Sequence, residues 1–577
     1  MDLAIRGGLV FDGRGGEGCI ADIGIMGDRI VQVGGSVPAS MKEIDASGLI
    51  VTPGFVDIHT HYDGQVIWTD RLTPSTAHGV TTIVIGNCGV GFAPCRPGDR
   101  EALVELMAGV EDIPEVVMTD GLSWEWESYP QYLDAVAARP HDVDIASYIP
   151  HSALRVYVMG QRALDREHAT PQDIAEMARL TREALKAGSI GFATSRNLQH
   201  VSIKGVPIPT VRTAEDELQG IADALKDENT GALQILTDFD QYRSVDAEFA
   251  MLRRIVAGSG RPLSFSLQQK HGDPDGYKHL LDLTDQAVAD GLPIKAQVAA
   301  RPSGVLLGHR LSLTPFSKCP SFIAISGLPF AEKIAKLAEP EVRARILGEA
   351  TGDYSDQVRT FGDFDRMFAL EEHPEYEPAP EQSIAAQAAA AGLEVFTYVY
   401  DLLLENDGET LLFAAAQNYA DGTFSASYEM MSRGNSIVGL GDGGAHLGLI
   451  CDASYTTTLL AHWSRDRVRG PKLPLASAIR FMTSDAAEAV GLRDRGVIAP
   501  GYKADLNIID FDRVRLDKPH VTYDLPAGGR RVLQEAEGYV ATILSGQVTY
   551  ADGHPTGALP GKLVRGFQHA PRQAALA

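Results

Sequence analysis

An apolar, strand-like run that ends in two histidines, GFVDIHTHYDG over residues 54–64, is the part of this sequence best suited to chemistry. His59 and His61 stand at i and i+2. On a strand that spacing puts both imidazoles on one face, where they can converge on a single divalent ion. The plainer alternative is a pair of hydrogen-bonded histidines in a polar turn. Two glycine clusters, GRGG and GDGG, lack both the GxxxxGK[ST] pattern and a strand-linked GxGxxG, so nucleotide binding is not expected.

Imidazoles at a strand end need a frame, and the chain is long enough to build one. At 577 residues it accommodates a barrel of about 250 residues or more plus an accessory domain. Hydrophobic residues make up 44% and charged residues 22%, as in an ordinary globular enzyme. Eight short apolar or β-branched runs occur at 55–61, 81–87, 143–151, 190–195, 233–239, 263–268, 294–301 and 437–442. Most are separated by helical patterns such as PQDIAEMARLTREALKAG, and Gly188 and Gly291 stand where a helix would stop before the next strand. Strand alternating with helix means parallel strands, and eight of them predict a closed barrel.

The two ends have a different texture. Short alternating runs broken by Gly and Asp fill the first fifty residues and return in KADLNIIDFDRV and GYVATILSGQVTYADG. The expected fold is therefore α/β: a (β/α)8 barrel over residues 53–490, with a small β-sandwich built from residues 1–52 and 491–577. An insertion at about 302–435 is too long for one crossover, and its acidic, proline-bearing EEHPEYEPAPEQ reads as an exposed loop.

The net charge of -25 argues against nucleic acid or an anionic membrane surface as partner. Five scattered cysteines (Cys19, Cys88, Cys95, Cys319, Cys451) read as reduced thiols. With no export signal and no 18-residue apolar run, a cytoplasmic location without a membrane span is expected.

Several motifs along most of the chain, VTPGFVDIHTH, HGVTTIVIGNCGVGFAP, HSALRVYVMG, GSIGFATS, GLGDGGAH and MTSDAAEAVGLRDRGVIAPGYKADLNIID, resemble the amidohydrolase superfamily, and within it the N-acyl-D-amino-acid deacylase group. The resemblance implies that Cys88, in GNCG, is a thiolate ligand beside His59 and His61; read alone it is equally a small buried thiol. It implies that Asp442, in GLGDGG, binds the metal and serves as general base, where the residue alone reads also as a turn aspartate. It places Arg301 and Ser303 where relatives hold the substrate carboxylate, although an arginine at a strand end is otherwise an ion-paired or solvated residue. His200 and His446 are candidates to polarise the scissile carbonyl or orient Asp442, and His151 to support the barrel.

One departure bears on mechanism. The group carries a metal-binding histidine at the end of strands five and six, whereas here the matching positions fall on or next to Leu236 and Leu267. Asp238, Asp240 and Gln268 are the nearby oxygen donors. Lys295 stands at the start of its strand, so no lysine is placed to form a bridging carbamate. The expectation is one Zn2+, held by His59, His61 and Asp442 with Cys88 as fourth ligand. The expected reaction is hydrolysis of a non-peptide amide, deacylation of an N-acyl (D-)amino acid or related N-acyl amine. The alternatives are a cyclic amide, lactone or other ester as substrate, or a metal-poor scaffold. The expected partner is a small molecule, and a homo-oligomer is left open, since no interface can be read from the sequence.

Overall fold

Eight parallel strands form a barrel, and each is short and buried almost throughout, because helices cover it outside and side chains fill the barrel inside. In the computed structural model, which describes residues 1–239, 244–352 and 363–571, they are β1 (Phe55–Asp57), β2 (Val80–Ile85), β3 (Asp144–Ser147, continued by Ile149–Pro150), β4 (Gly191–Arg196), β5 (Ala232–Thr237), β6 (Leu263–Leu267), β7 (Ile294–Ala299) and β8 (Ser436–Gly439). Neighbouring strands pair in parallel, β4 with β5 from Gly191↔Ala232 to Arg196↔Thr237, and β7 with β8 from Ala296↔Ser436 to Ala299↔Gly439. The ring closes between the ends of β8 and β1, where Thr60 bridges Gly443 and the His61 amide donates to the Gly443 carbonyl at 2.8 Å. Closure therefore sets His59-Thr60-His61 against the loop that holds Asp442.

Local sequence explains the helix ends that aim these strands. The helix Pro171–Ala187 begins at Thr170, whose hydroxyl accepts from the Asp173 amide while Asp173 caps Thr170 in return. It stops at Gly188, whose φ of 118° suits glycine, and the chain turns into β4. Inside the barrel Val56, Ile58, Val84, Ala146, Tyr148 and Ala193 form one apolar cluster, closed from below by Ala486, Val490, Leu492 and Val564.

Both chain ends contribute to one nine-stranded sheet. Its seam pairs Leu506–Ile509 antiparallel with Ile50–Pro53, so an N-terminal strand lies beside a C-terminal one. Isoleucines 5, 23, 25, 508 and 543 are buried in its own core. Between β7 and β8 the chain adds a three-stranded antiparallel sheet (Gly304–Leu307, Met367–Ala369, Leu412–Ala415) and helices around a separate core that includes Phe316, Leu337, Phe396 and Leu403.

The acidic segment 371–382 differs from expectation. It is irregular, but Tyr376 and Glu377 are only 4% and 2% exposed. The Glu377 carboxylate accepts from Arg467 Nε and Nη2, each at 2.9 Å, and pairs with His462 Nε2 at 2.9 Å, which explains why an acid can lie inside. Among the described residues no helix is long and apolar enough to cross a membrane.

Candidate metal centre and active site

His59 and His61 follow β1 and are 1% and 2% exposed. Their inner nitrogens converge. His59 Nε2 lies 3.3 Å from Cys88 Sγ and 3.4 Å from Asp442 Oδ1, and His61 Nε2 lies 3.6 Å from the same carboxylate oxygen. The ligand atoms of His59, His61 and Cys88 all lie within 4.8 Å of one another, the one such His/Cys/acid group among the described residues.

The outer nitrogens are held by residues that the sequence reading did not single out. His59 Nδ1 is 2.8 Å from Gln297 Oε1, on β7. Because Gln297 Nε2 donates to Ser264 Oγ at 2.9 Å, its oxygen accepts from His59 Nδ1–H, and the Nε2 lone pair is left facing inward. His61 Nδ1 faces Glu111 Oε1 at 3.4 Å, and the other oxygen of that buried carboxylate is 3.7 Å from His446 Nε2. The Glu111 carbonyl also accepts from the His446 amide. Gln297 had a legible signal, a polar residue amid an apolar strand. Glu111, just beyond the helix Arg100–Val110, had none.

Backbone conformation delivers the other two donors. Cys88 follows β2 at a φ of 53°, and its amide donates to Gln234 Oε1 at 2.9 Å. The turn needs Gly86, since a Cβ there would sit 2.3 Å from the Tyr148 carbonyl oxygen. Leu440, Asp442 and His446 after β8 all have positive φ, of 59°, 46° and 47°. Such residues cost of order 1–3 kcal/mol each and persist where the surroundings impose them, commonly at working sites.

The electrostatics suit a cation. Burial opposes charge on all four donors, but their mutual fields override it. Cys88 Sγ, with Asp442, lifts His59 to about 9. Glu111 and Asp442 lift His61. The two imidazoles pull Cys88 down and hold Asp442 well below the carboxylate range. A thiolate and a carboxylate facing two imidazoles, with the outer nitrogens occupied, form a donor set fitted to a divalent ion such as zinc. His200 also comes in: Ser195 Oγ lies 3.0 Å from its Nδ1, and burial, then the neighbouring imidazoles, lower its pKa to about 3, so it stays neutral.

The remaining candidates scatter. Arg301 is 2% exposed: its guanidinium pairs with Asp452, bonds Ser454 Oγ at 3.0 Å and lies 4.2 Å from the Tyr376 ring centroid. Its charge is offset inside the protein by Asp452, a partner that the sequence reading did not foresee. Ser303 Oγ accepts from Gln268 Nε2 at 2.5 Å, and Asp238 accepts from the Leu198 amide at 2.7 Å. His151 is buried between Thr194 Oγ1 at 2.8 Å and Glu217 Oε1 at 3.0 Å, away from the donors. Asp240 lies outside the described residues. On β6 the inward position is Ser266, the register partner of Gln297, whereas Leu267 packs into the outer core. On β5 the inward position is Leu236, which shares its face with Gln234.

The Amidohydrolase family matches the chain over residues 42–550. The chain belongs to that family. Like other amidohydrolases it is a hydrolase of carbon–nitrogen bonds other than peptide bonds. It is 28% identical over 524 residues to the D-aminoacylase of Alcaligenes xylosoxydans xylosoxydans, covering 88% of each chain. It is 26% identical over 577 residues to that organism's N-acyl-D-glutamate deacylase, covering 98% of this chain and 96% of the relative. The crystal structure of N-acyl-D-glutamate deacylase from Bordetella bronchiseptica, complexed with zinc and a phosphonate mimic of the tetrahedral intermediate, superposes with a TM-score of 0.64 at 22% identity over 98% of this chain and 99% of that one. At that identity the likeness bears on the fold.

Proposed function

We propose that this amidohydrolase deacylates an N-acyl amino acid of D configuration, using one zinc ion held by His59 Nε2, His61 Nε2 and Asp442 Oδ1, with Cys88 Sγ as fourth donor. The observation that carries the reading is the convergence of these four atoms at the barrel mouth. The deacylase names of its relatives, and the zinc in one of similar fold, support the substrate class and the metal. One ion suffices, because β5 and β6 turn Leu236 and Ser266 inward and neither is a strong ligand. Lys295 stands at the opposite end of β7.

A divalent ion at this position supplies a Lewis acid that makes water acidic near neutral pH and withdraws charge from an acyl oxygen. The protein's own groups do the rest. Asp442, kept deprotonated by the imidazoles, accepts the proton of the attacking water and returns it to the departing nitrogen. Neutral His200, and His446 held by Glu111, face the acyl oxygen as it gains charge. The Gln268–Ser303 pair receives the polar end of the substrate.

The test is a substrate panel with one variant. N-acyl-D-amino acids should be turned over in preference to hydantoins and lactones, and Asp442→Asn should lower kcat by about 10²–10⁴ while the protein still folds. Turnover by Asp442→Asn equal to that of the parent would remove Asp442 from the proton transfers. Preference for a cyclic substrate would overturn the deacylase reading.

A further inference from the structure

A cavity of about 620 Å3 lies at the end of the barrel opposite the metal donors, between the starts of β5, β6 and β7 and the C-terminal segment at Phe567. Small-ligand sites have volumes of about 300–1,000 Å3. Leu233, Leu263, Ile294, Ile437 and Phe567 give the cavity apolar walls.

Its charges are unbalanced. Arg261 and Lys295 both line it, and among the described residues neither has a carboxylate partner. Arg261 spends Nε on the Gly231 carbonyl and Nη1 on Asn229 Oδ1, each at 3.1 Å, and burial lowers its pKa. Lys295 is the register partner of Ser264, which shares the inward face with Gln297. A third cation of the lining, Arg493, is engaged at 3.7 Å by Glu488, which also lines the cavity and leaves Arg261 and Lys295 in excess. Two cations without a carboxylate partner are unexpected in a chain with 76 acidic and 51 basic side chains, where carboxylates are plentiful. A guanidinium and an ammonium beside apolar walls match a carboxylate at one end and a hydrocarbon at the other.

We propose that this basal cavity is a second ligand site, which binds a carboxylate carrying an apolar tail. Arg261 and Lys295 take the carboxylate, and the walls of β5, β6 and β7 take the tail. The site also touches the catalytic end: Ser264 lines the cavity and accepts the hydrogen bond from the Gln297 side chain that orients His59. The proposal does not depend on the deacylase reading, since the cavity shares no residue with the metal donors.

Calorimetric titration of the full-length, zinc-loaded protein with octanoate, and separately with octylamine, tests it. Saturable octanoate binding is expected, weakened at least tenfold in Lys295→Gln and in Arg261→Gln, with no saturable binding of octylamine. Arg493→Glu, on an exposed side chain, should weaken octanoate several-fold by adding negative charge near the cavity and guards against loss of fold in the other two. Absence of saturable octanoate binding, equal binding of octylamine, or octanoate binding unaffected by all three substitutions would each overturn the proposal; the last would assign the ligand to the barrel mouth.

Discussion

A metal-binding imidazole is only as well placed as the group behind it. Glu111 stands 3.4 Å behind His61 and 3.7 Å from His446, so one buried carboxylate sets two rings at once. Partners of this kind orient a ligand and raise its basicity, and their loss costs about 10–100-fold in metal affinity. Glu111→Gln should therefore weaken zinc retention by about that factor in competition with a chelator, and Glu111→Asp should recover part of it. Retention equal to the parent's in both variants would reduce Glu111 to a packing residue. The histidines themselves were legible, because an i, i+2 pair after an apolar strand leaves few other uses. Glu111 was not, because it lies in a loop after a helix and meets His61 only through the fold. Arg301 shows the same limit: its strand-end position is visible in the sequence, but its acid partner, Asp452, lies 151 residues away.

Among the elements, the barrel strands were the most legible, since strands buried on both faces read as continuous apolar runs whatever they enclose. All eight overlap the expected runs, β2, β4, β5 and β8 each reaching one residue beyond, and the caps at Thr170 and Gly188 follow the local chemistry of helix ends. Less legible was the segment 371–382, whose composition reads as solvated while its centre is buried. The reason is long-range pairing, since Arg467 and His462 reach Glu377 from 90 and 85 residues away. Burial alone would raise the Glu377 pKa, but His462 and Arg467 bring it down to about 2. A depressed carboxylate stabilises the fold above its ordinary pKa of 4.5, and that contribution is lost as pH falls through about 2. Glu377→Ala should thus cost about 3–5 kcal/mol at pH 7, by stranding Arg467, and the gap from the parent should narrow as pH drops below 4.5. Urea unfolding of both proteins from pH 7 to pH 3 measures this; a gap independent of pH would place the stabilisation elsewhere.

At the scale of the whole molecule, length and strand–helix alternation indicated the architecture, and the interleaving of the two termini in one sheet follows from β-rich ends flanking a barrel. What composition could not show is how strands far apart in sequence bring together a thiolate, a carboxylate and two imidazoles. Catalysis as proposed requires those donors to hold one divalent ion. The most direct measurement is the metal content of protein purified without chelator, by mass spectrometry. One equivalent of zinc per chain, falling well below one in His59→Ala and His61→Ala, is the predicted result. A content near zero that added zinc does not restore would contradict the account, and two equivalents would contradict the single-ion site.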